Sequence, residues 1–160
     1  VATAIYPYIK DKSVDLGKAL IMLAIHDIGE IVVGDEMFFT NNGTSSESEK
    51  KAALKLLPTS YHDLYLDMEE RRTSTGKFAK AIDRITPEIL DLLLPAKASI
   101  ERYKVHFSGK KDPINTIDSV NRQFMTWNSF MENLHSEIMQ RLAEKLEIRD
   151  PSFSATESGY

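Results

Sequence analysis

Between Leu20 and Asp35 the chain reads Leu20-Ile21-Met22-Leu23-Ala24-Ile25-His26-Asp27-Ile28-Gly29-Glu30-Ile31-Val32-Val33-Gly34-Asp35, an apolar run broken by His26, Asp27, Glu30 and Asp35. The apolar flanks belong in a core, and carrying an unpaired carboxylate into a core costs several kcal/mol. Any fold adopted by this chain must therefore give these charges partners. A bound metal ion is one way to do so.

The spacing sharpens that idea. His26 and Asp27 are adjacent on an expected helix, and Glu30, four residues beyond His26, falls on the same face. Gly34 suits a left-handed helix end, which places Asp35 where the chain turns off the helix. An imidazole with a carboxylate suits a divalent metal, and a further carboxylate close by can orient or deprotonate a water. Plainer readings use the same residues: His26 and Asp27 as a mutually hydrogen-bonded pair without metal, Glu30 and Asp35 as helix-end charges facing water. The chain carries its own control in His62-Asp63, which has Leu66 where the first pair has Glu30 and Arg71 where it has Asp35. That second pair follows Thr59-Ser60-Tyr61 and reads as the capped first turn of a helix, its aspartate complementing the helix dipole.

The pattern His26-Asp27-x-x-Glu30-x-x-x-x-Asp35, worded HDIGEIVVGD, resembles the central motif of the HD-domain metal-dependent phosphohydrolases, and especially of their 5'-deoxynucleotidase branch. The similarity runs from Val1 to Asp91. It includes Glu69-Glu70-Arg71-Arg72-Thr73-Ser74-Thr75-Gly76-Lys77-Phe78-Ala79-Lys80-Ala81-Ile82-Asp83-Arg84-Ile85, similar to the family segment that carries the last metal-binding aspartate. The resemblance implies that His26, Asp27 and Asp83 bind one divalent ion, with Mn, Co, Fe, Mg or Zn all compatible with oxygen and nitrogen ligands. It implies that Glu30 manages the proton of the attacking water or of the leaving group, and that Asp35 contacts the sugar. The implied substrate is a nucleoside 5'-monophosphate, the implied products are a nucleoside and inorganic phosphate, and the implied assembly is a homodimer. Phosphodiesterases and nucleotide-diphosphate hydrolases of the wider superfamily share the His-Asp core and form the alternative enzyme reading.

The family's metal site opens with a further histidine on an upstream helix, and no histidine precedes His26 here. The opening Val1-Ala2-Thr3-Ala4-Ile5-Tyr6 resembles the part of that helix just past the histidine, so the adopted expectation is that the fourth ligand lies before Val1. The competing expectation is an incomplete site, leaving a weak metal binder or a non-catalytic dimeric helical binding module. His106, ahead of the Ser108-Gly109-Lys110-Lys111-Asp112-Pro113 loop, and His135, on an amphipathic helix, have simpler explanations than metal binding. Without the resemblance, Asp83 reads as a solvated acid beside Lys80 and Arg84.

At 160 residues the chain suffices for one domain with a substantial core. We expect a single domain over 1–150 and a flexible tail over 151–160. There is no cysteine, which excludes disulfides, zinc-thiolate sites and cysteine nucleophiles and fits a reducing compartment, with cytoplasm the expectation. No run of about 18 apolar residues is present, so a membrane span is not expected. A formal net charge of -4 with acids and bases interspersed leaves no basic face for a nucleic-acid polymer. A small anionic substrate needs only local cations and a metal.

Glycine and proline stand at breaks rather than inside alternating apolar runs, which predicts an all-α HD-domain helical bundle with a long C-terminal amphipathic helix. The first helix is expected to end near Pro7 to Lys12. Ser13 or Asp15 caps a second helix that carries the motif to Gly34. After the polar loop Thr40-Asn41-Asn42-Gly43-Thr44, Ser45 or Ser46 caps a helix ending before Pro58. Helices over 60–72 and 75–85 follow, and Thr86-Pro87-Glu88 reads as a fresh start with proline in the first turn. Asp83 then lies near a helix C-terminus, where a carboxylate gains from a cation. Ile117, Val120, Phe124, Trp127, Met131, Leu134, Ile138, Leu142 and Leu146 recur at helical spacing and predict one long helix. Its stripe packs on the core or forms a homodimer interface.

Overall fold

Helix capping begins where the sequence places it: the Asp15 carboxylate accepts the Lys18 N–H at 3.0 Å and starts the motif-bearing helix. The structure, a computed structural model, describes residues 1–34, 44–106 and 113–149, the side chains at 44–46, 104–106 and 147–149 excepted. Among these residues every regular element is helical, as expected. In chain order they are α1 (Ala2–Ile5), α2 (Leu16–Ile25), α3 (Glu30–Val33), α4 (Thr44–Leu56), α5 (His62–Glu70), α6 (Ser74–Leu93), α7 (Ala96–His106), α8 (Pro113–Asn121) and α9 (Ser129–Arg149), with short 3₁₀ turns between some of them. No helix among the described residues is long and apolar enough to cross a membrane. The described residues between 2 and 80 form one compact unit, and Val1 with the described residues from 81 onward a second.

In the first unit Ala53 of α4, Leu57 just beyond it and Tyr65 of α5 make a buried cluster, against which Ile25, Ile28, Leu54 and Leu66 pack. The helix α2 buries Ala19 and Met22, while Leu20 and Ile21 face outward at 41% and 39% exposure, so one face rather than the whole apolar run enters the core. Between α5 and α6 the chain turns through Arg71 in the left-handed region, φ 54°. Asp67 fastens this turn, accepting the Thr73 N–H at 2.8 Å and the Thr73 hydroxyl at 2.7 Å.

The second unit corrects two expected boundaries. Pro87 does not open a new helix; it lies inside α6, which runs unbroken from Ser74 to Leu93. Proline there lacks the N–H that would reach the Asp83 carbonyl and costs roughly 3 kcal/mol in a helix interior. The buried face of Ile82, Ile85, Glu88 and Asp91 holds the helix together against that cost. Asp83 is consequently mid-helix, and the helix-end argument for a cation partner does not apply to it. The expected single C-terminal helix is likewise two. The first, α8, ends at Asn121, a 3₁₀ turn spans Arg122–Phe124, and α9 restarts at Ser129. Asn128 makes the restart, its Oδ1 accepting the N–H groups of Phe130 and Met131 at 3.0 and 3.2 Å. Ile117, Met131, Ile138, Leu142 and Leu146 of the predicted stripe are buried within this one chain.

Two buried polar networks fasten this unit. Asp91 of α6 accepts from Arg102 at 2.6 Å and from the Tyr103 hydroxyl at 3.0 Å, while burial, its largest influence, pushes its carboxyl above the usual range. Lys145 of α9 donates to the carbonyls of Leu92 and Leu94 at 3.2 and 2.6 Å and also to that of Asp91, capping the end of α6. The second network centres on fully buried His135. Its Nδ1 meets Glu88 Oε2 at 2.9 Å, and its Nε2 meets Asp118 Oδ1 at 3.0 Å. Both ring nitrogens face carboxylates, so both donate and the ring is cationic. Arg122 binds the same Asp118 through two nitrogens at 3.2 and 2.8 Å, and Asn121 donates to Glu88 at 2.8 Å.

Burial works against the charged ring, but the bonds and charges of Glu88 and Asp118 outweigh it and hold the His135 pKa above 6.5. A raised folded-state pKa stabilises fully below the unfolded value and loses that contribution as pH rises through the folded value. The melting temperature should therefore fall as pH is raised from about 6.5. His135→Gln should flatten that slope and cost about 3 kcal/mol, because it leaves the buried Glu88 carboxylate facing a neutral group. Melting curves of both proteins across pH 6–9 with parallel slopes would exclude the charged bridge.

Candidate functional site

The motif-bearing helix stops at Ile25. His26–Gly29 forms a 3₁₀ turn, and Glu30 opens the short α3. A 3₁₀ turn has about 3 residues per turn, so the same-face spacing of His26 and Glu30 expected on a continuous α-helix does not carry over. His26 and Asp27 share the turn, and Glu30, half-buried, begins the next element.

The turn is held from beneath. A Cβ added to Gly29 would lie 2.4 Å from the Glu49 carbonyl oxygen and 2.9 Å from Glu49 Cγ, so only glycine lets α4 lie this close. Ile25 and Ile28 on either side of the His-Asp pair reach into the Ala53, Leu57 and Tyr65 cluster. Gly34 ends α3 at φ 86° and ψ 157°, a positive φ that favours glycine but not the left-handed helical conformation expected there, and its N–H bonds the Glu30 carbonyl at 2.7 Å.

The imidazole of His26 is oriented at both nitrogens. Its Nδ1 lies 2.8 Å from the Leu23 carbonyl oxygen, an acceptor only, so Nδ1 carries a proton and donates. Its Nε2 faces Asp27 Oδ1 at 2.9 Å. In the neutral ring that arrangement sets a nitrogen lone pair against a carboxylate, which requires a positive charge at the contact. A proton supplies it in the imidazolium form, and a divalent cation supplies it equally. A ring nitrogen tied to a backbone carbonyl with the other presented outward is the orientation expected of a metal-ligating histidine. The donor set thus fits a divalent ion as one nitrogen and one oxygen ligand.

The reason for charge in this stretch differs from the one read in the sequence. The Asp27 side chain is 58% exposed and that of His26 18%, and beyond them Ile31 and Val32 are 79% and 63% exposed. These apolar residues do not enclose the pair, so no burial cost has to be offset at Asp27. Solvent access at a fixed pair of donor atoms is what the geometry provides.

Glu49 lies in electrostatic range of the pair, and Glu69 and Lys80 in range of Glu49; the sequence pattern assigned none of the three to the site. Glu49 of α4 is half-buried, and its carboxyl is pushed above 4.5, first by burial and then by the charge of Glu69, with Lys80, Asp27 and His26 also in electrostatic range. Lys80 is buried and donates to Glu69 at 2.8 Å. The Tyr65 phenol is pushed up by burial and by Glu69, Glu49 and Asp27, which keeps it a neutral hydroxyl. Glu49, Glu69 and Lys80 stand on separate helices, so no sequence spacing links them.

The remaining candidates are placed as follows. Asp83 belongs to the second unit, mid-way along α6, with its Oδ2 3.7 Å from Arg84 Nε. Asp35 lies outside the described residues, as does the side chain of His106. His62 donates from Nε2 to the Leu57 carbonyl at 3.0 Å, a local structural bond that suits the plain reading of the control pair. Among the described residues no group of three or more His, Asp or Glu side chains is gathered on one point.

The model of the HD domain family matches residues 1–120. This chain belongs to the HD-domain family. HD domains generally bind divalent metals and act as metal-dependent phosphohydrolases, and the His26–Asp27 turn is where this HD domain presents paired nitrogen and oxygen donors. No curated protein and no solved structure matches the chain.

Because α4 rests on the missing side chain of Gly29, Gly29→Ala should force the turn and α4 apart and lower stability by about 1–3 kcal/mol. Denaturant unfolding measures this, and wild-type stability in the variant would show that α4 does not rest on the turn.

Proposed function

We propose that this HD domain hydrolyses phosphate monoesters, releasing inorganic phosphate from deoxynucleoside or ribonucleoside 5'-monophosphates. The observation that carries the reading is the oriented His26–Asp27 pair, with Nδ1 fixed on Leu23 and Nε2 presented to the Asp27 carboxylate at 2.9 Å. The match to the HD domain family supports the general chemistry. The resemblance of HDIGEIVVGD to the 5'-deoxynucleotidase motif supports the substrate class.

In this reading His26 through Nε2 and Asp27 through its carboxylate hold a divalent ion, and Asp83 is the further ligand that the resemblance implies. A divalent ion bound there would draw charge from the phosphoryl group and lower the pKa of a nearby water. Glu30 orients that water and takes its proton as the new oxygen–phosphorus bond forms. The bond from phosphorus to the nucleoside 5'-oxygen then breaks, and Glu30 returns the proton to the leaving oxygen. Asp35 contacts the sugar. A homodimer, the assembly implied by the resemblance, belongs to the same proposal and is read by light scattering on the purified protein.

Phosphate release from a panel of nucleoside monophosphates, with full-length protein stripped of metal and reloaded with Mn, Co, Mg or Zn, tests the reading. Metal-dependent release is expected, and none with any metal would direct the assignment to phosphodiester or diphosphate substrates or to a binding module. Glu30→Gln should reduce turnover by about 100-fold or more while metal content stays unchanged. Asp83→Ala should lower metal content, and full activity in both variants would overturn the assigned roles.

A further inference from the structure

The 3₁₀ turn that carries His26 and Asp27 is pressed onto α4 at one point, and the side chain leaving α4 at that point is Glu49. The Glu49 Cγ lies 2.9 Å from where a Gly29 side chain would begin, so its carboxylate emerges beside the turn rather than on the far face of α4. Two residues earlier on the same helix, Glu47 points to solvent with a 63% exposed side chain and pairs with Lys51 at 3.8 Å. Burial of Glu49 on this side of α4 is not explained by apolar packing, since a carboxylate gains nothing from leaving water.

Burial and the like charges of Glu69 and Asp27 act against the Glu49 carboxylate, while His26 and Lys80, the latter 2.8 Å from Glu69, act for it, and the balance raises its pKa. A carboxylate kept half-buried among like charges is held there by the fold against electrostatic cost, and a cation at the His26–Asp27 pair removes that cost.

We propose that Glu49 is a positioning residue of the metal site, raising the affinity of the His26–Asp27 pair for a divalent cation from outside ligand contact. The proposal rests on the reading of that pair as metal donors. Glu49 acts in two ways. Its negative charge deepens the potential at the pair, and its hold on α4 beneath Gly29 keeps the turn in the orientation that presents His26 Nε2 outward. Outer-shell carboxylates commonly contribute 10–100-fold to metal affinity.

Manganese titration of full-length protein by calorimetry, with melting temperature recorded beside it, separates the outcomes. Glu49→Gln should weaken Mn²⁺ binding about tenfold and Glu49→Asp about threefold, with Glu47→Gln, which removes the same charge from the outer face of α4, staying within about twofold. Wild-type affinity in Glu49→Gln, or an equal loss in Glu47→Gln, overturns the proposal while leaving the His26–Asp27 reading in place. Absence of Mn²⁺ binding by the wild type overturns that reading and the role of Glu49 with it. Should Glu49→Gln lose its cooperative melt, Glu49→Asp carries the test, and wild-type affinity there overturns the proposal.

Discussion

The contact between Gly29 and the Glu49 backbone is the constraint on which the site depends. Where a Cβ would meet a carbonyl oxygen at 2.4 Å, the 3₁₀ turn and α4 lie closer than any other residue would permit. That closeness seats Ile25 and Ile28 in the cluster of Ala53, Leu57 and Tyr65, so the turn is anchored by apolar burial on both sides of the His-Asp pair. Anchored residues leave the pair's donor atoms fixed while Asp27 stays open to solvent. Preorganisation of this kind lets two side chains bind a ligand without first losing conformational freedom.

The second unit uses charge differently. Glu88, Asp118 and Arg122 surround a histidine with no solvent exposure, and Asp91 gathers Arg102 and Tyr103 while Lys145 caps the end of α6. Each network joins α6 to α9, one through His135 and the other through Lys145, while Asn121 Oδ1 and Asp91 Oδ1 stay buried without a hydrogen-bond partner among the described residues. Buried charges arranged this way specify which helix meets which, because a shifted register would leave an ion unpaired. The network around His135 ties that specification to pH, since its bonds require a cationic ring.

Around the His-Asp pair the charges are more open to solvent. Burial together with Glu69 and Asp27 acts against the Glu49 carboxylate while Lys80 and His26 favour it, and the Asp27 side chain is 58% exposed.

The sequence by itself determined the local features: the all-helical class, a cap at Ser13 or Asp15, the positive φ at Gly34 and the plain structural role of His62. Each depends on residues within one turn of each other, where backbone sterics and a single hydrogen bond decide. It also marked His26 and Asp27, because adjacent donors in that wording are visible without a fold. Only the tertiary structure decided that Pro87 lies within α6, since the packing that outweighs its local cost comes from distant residues. Only the tertiary structure replaced the expected α-helix at His26–Gly29 by a 3₁₀ turn, which lies against α4 at Gly29. The bridging of His135 and the grouping of Glu49, Glu69 and Lys80 join residues on separate helices, and no periodicity along one helix encodes what another brings to it.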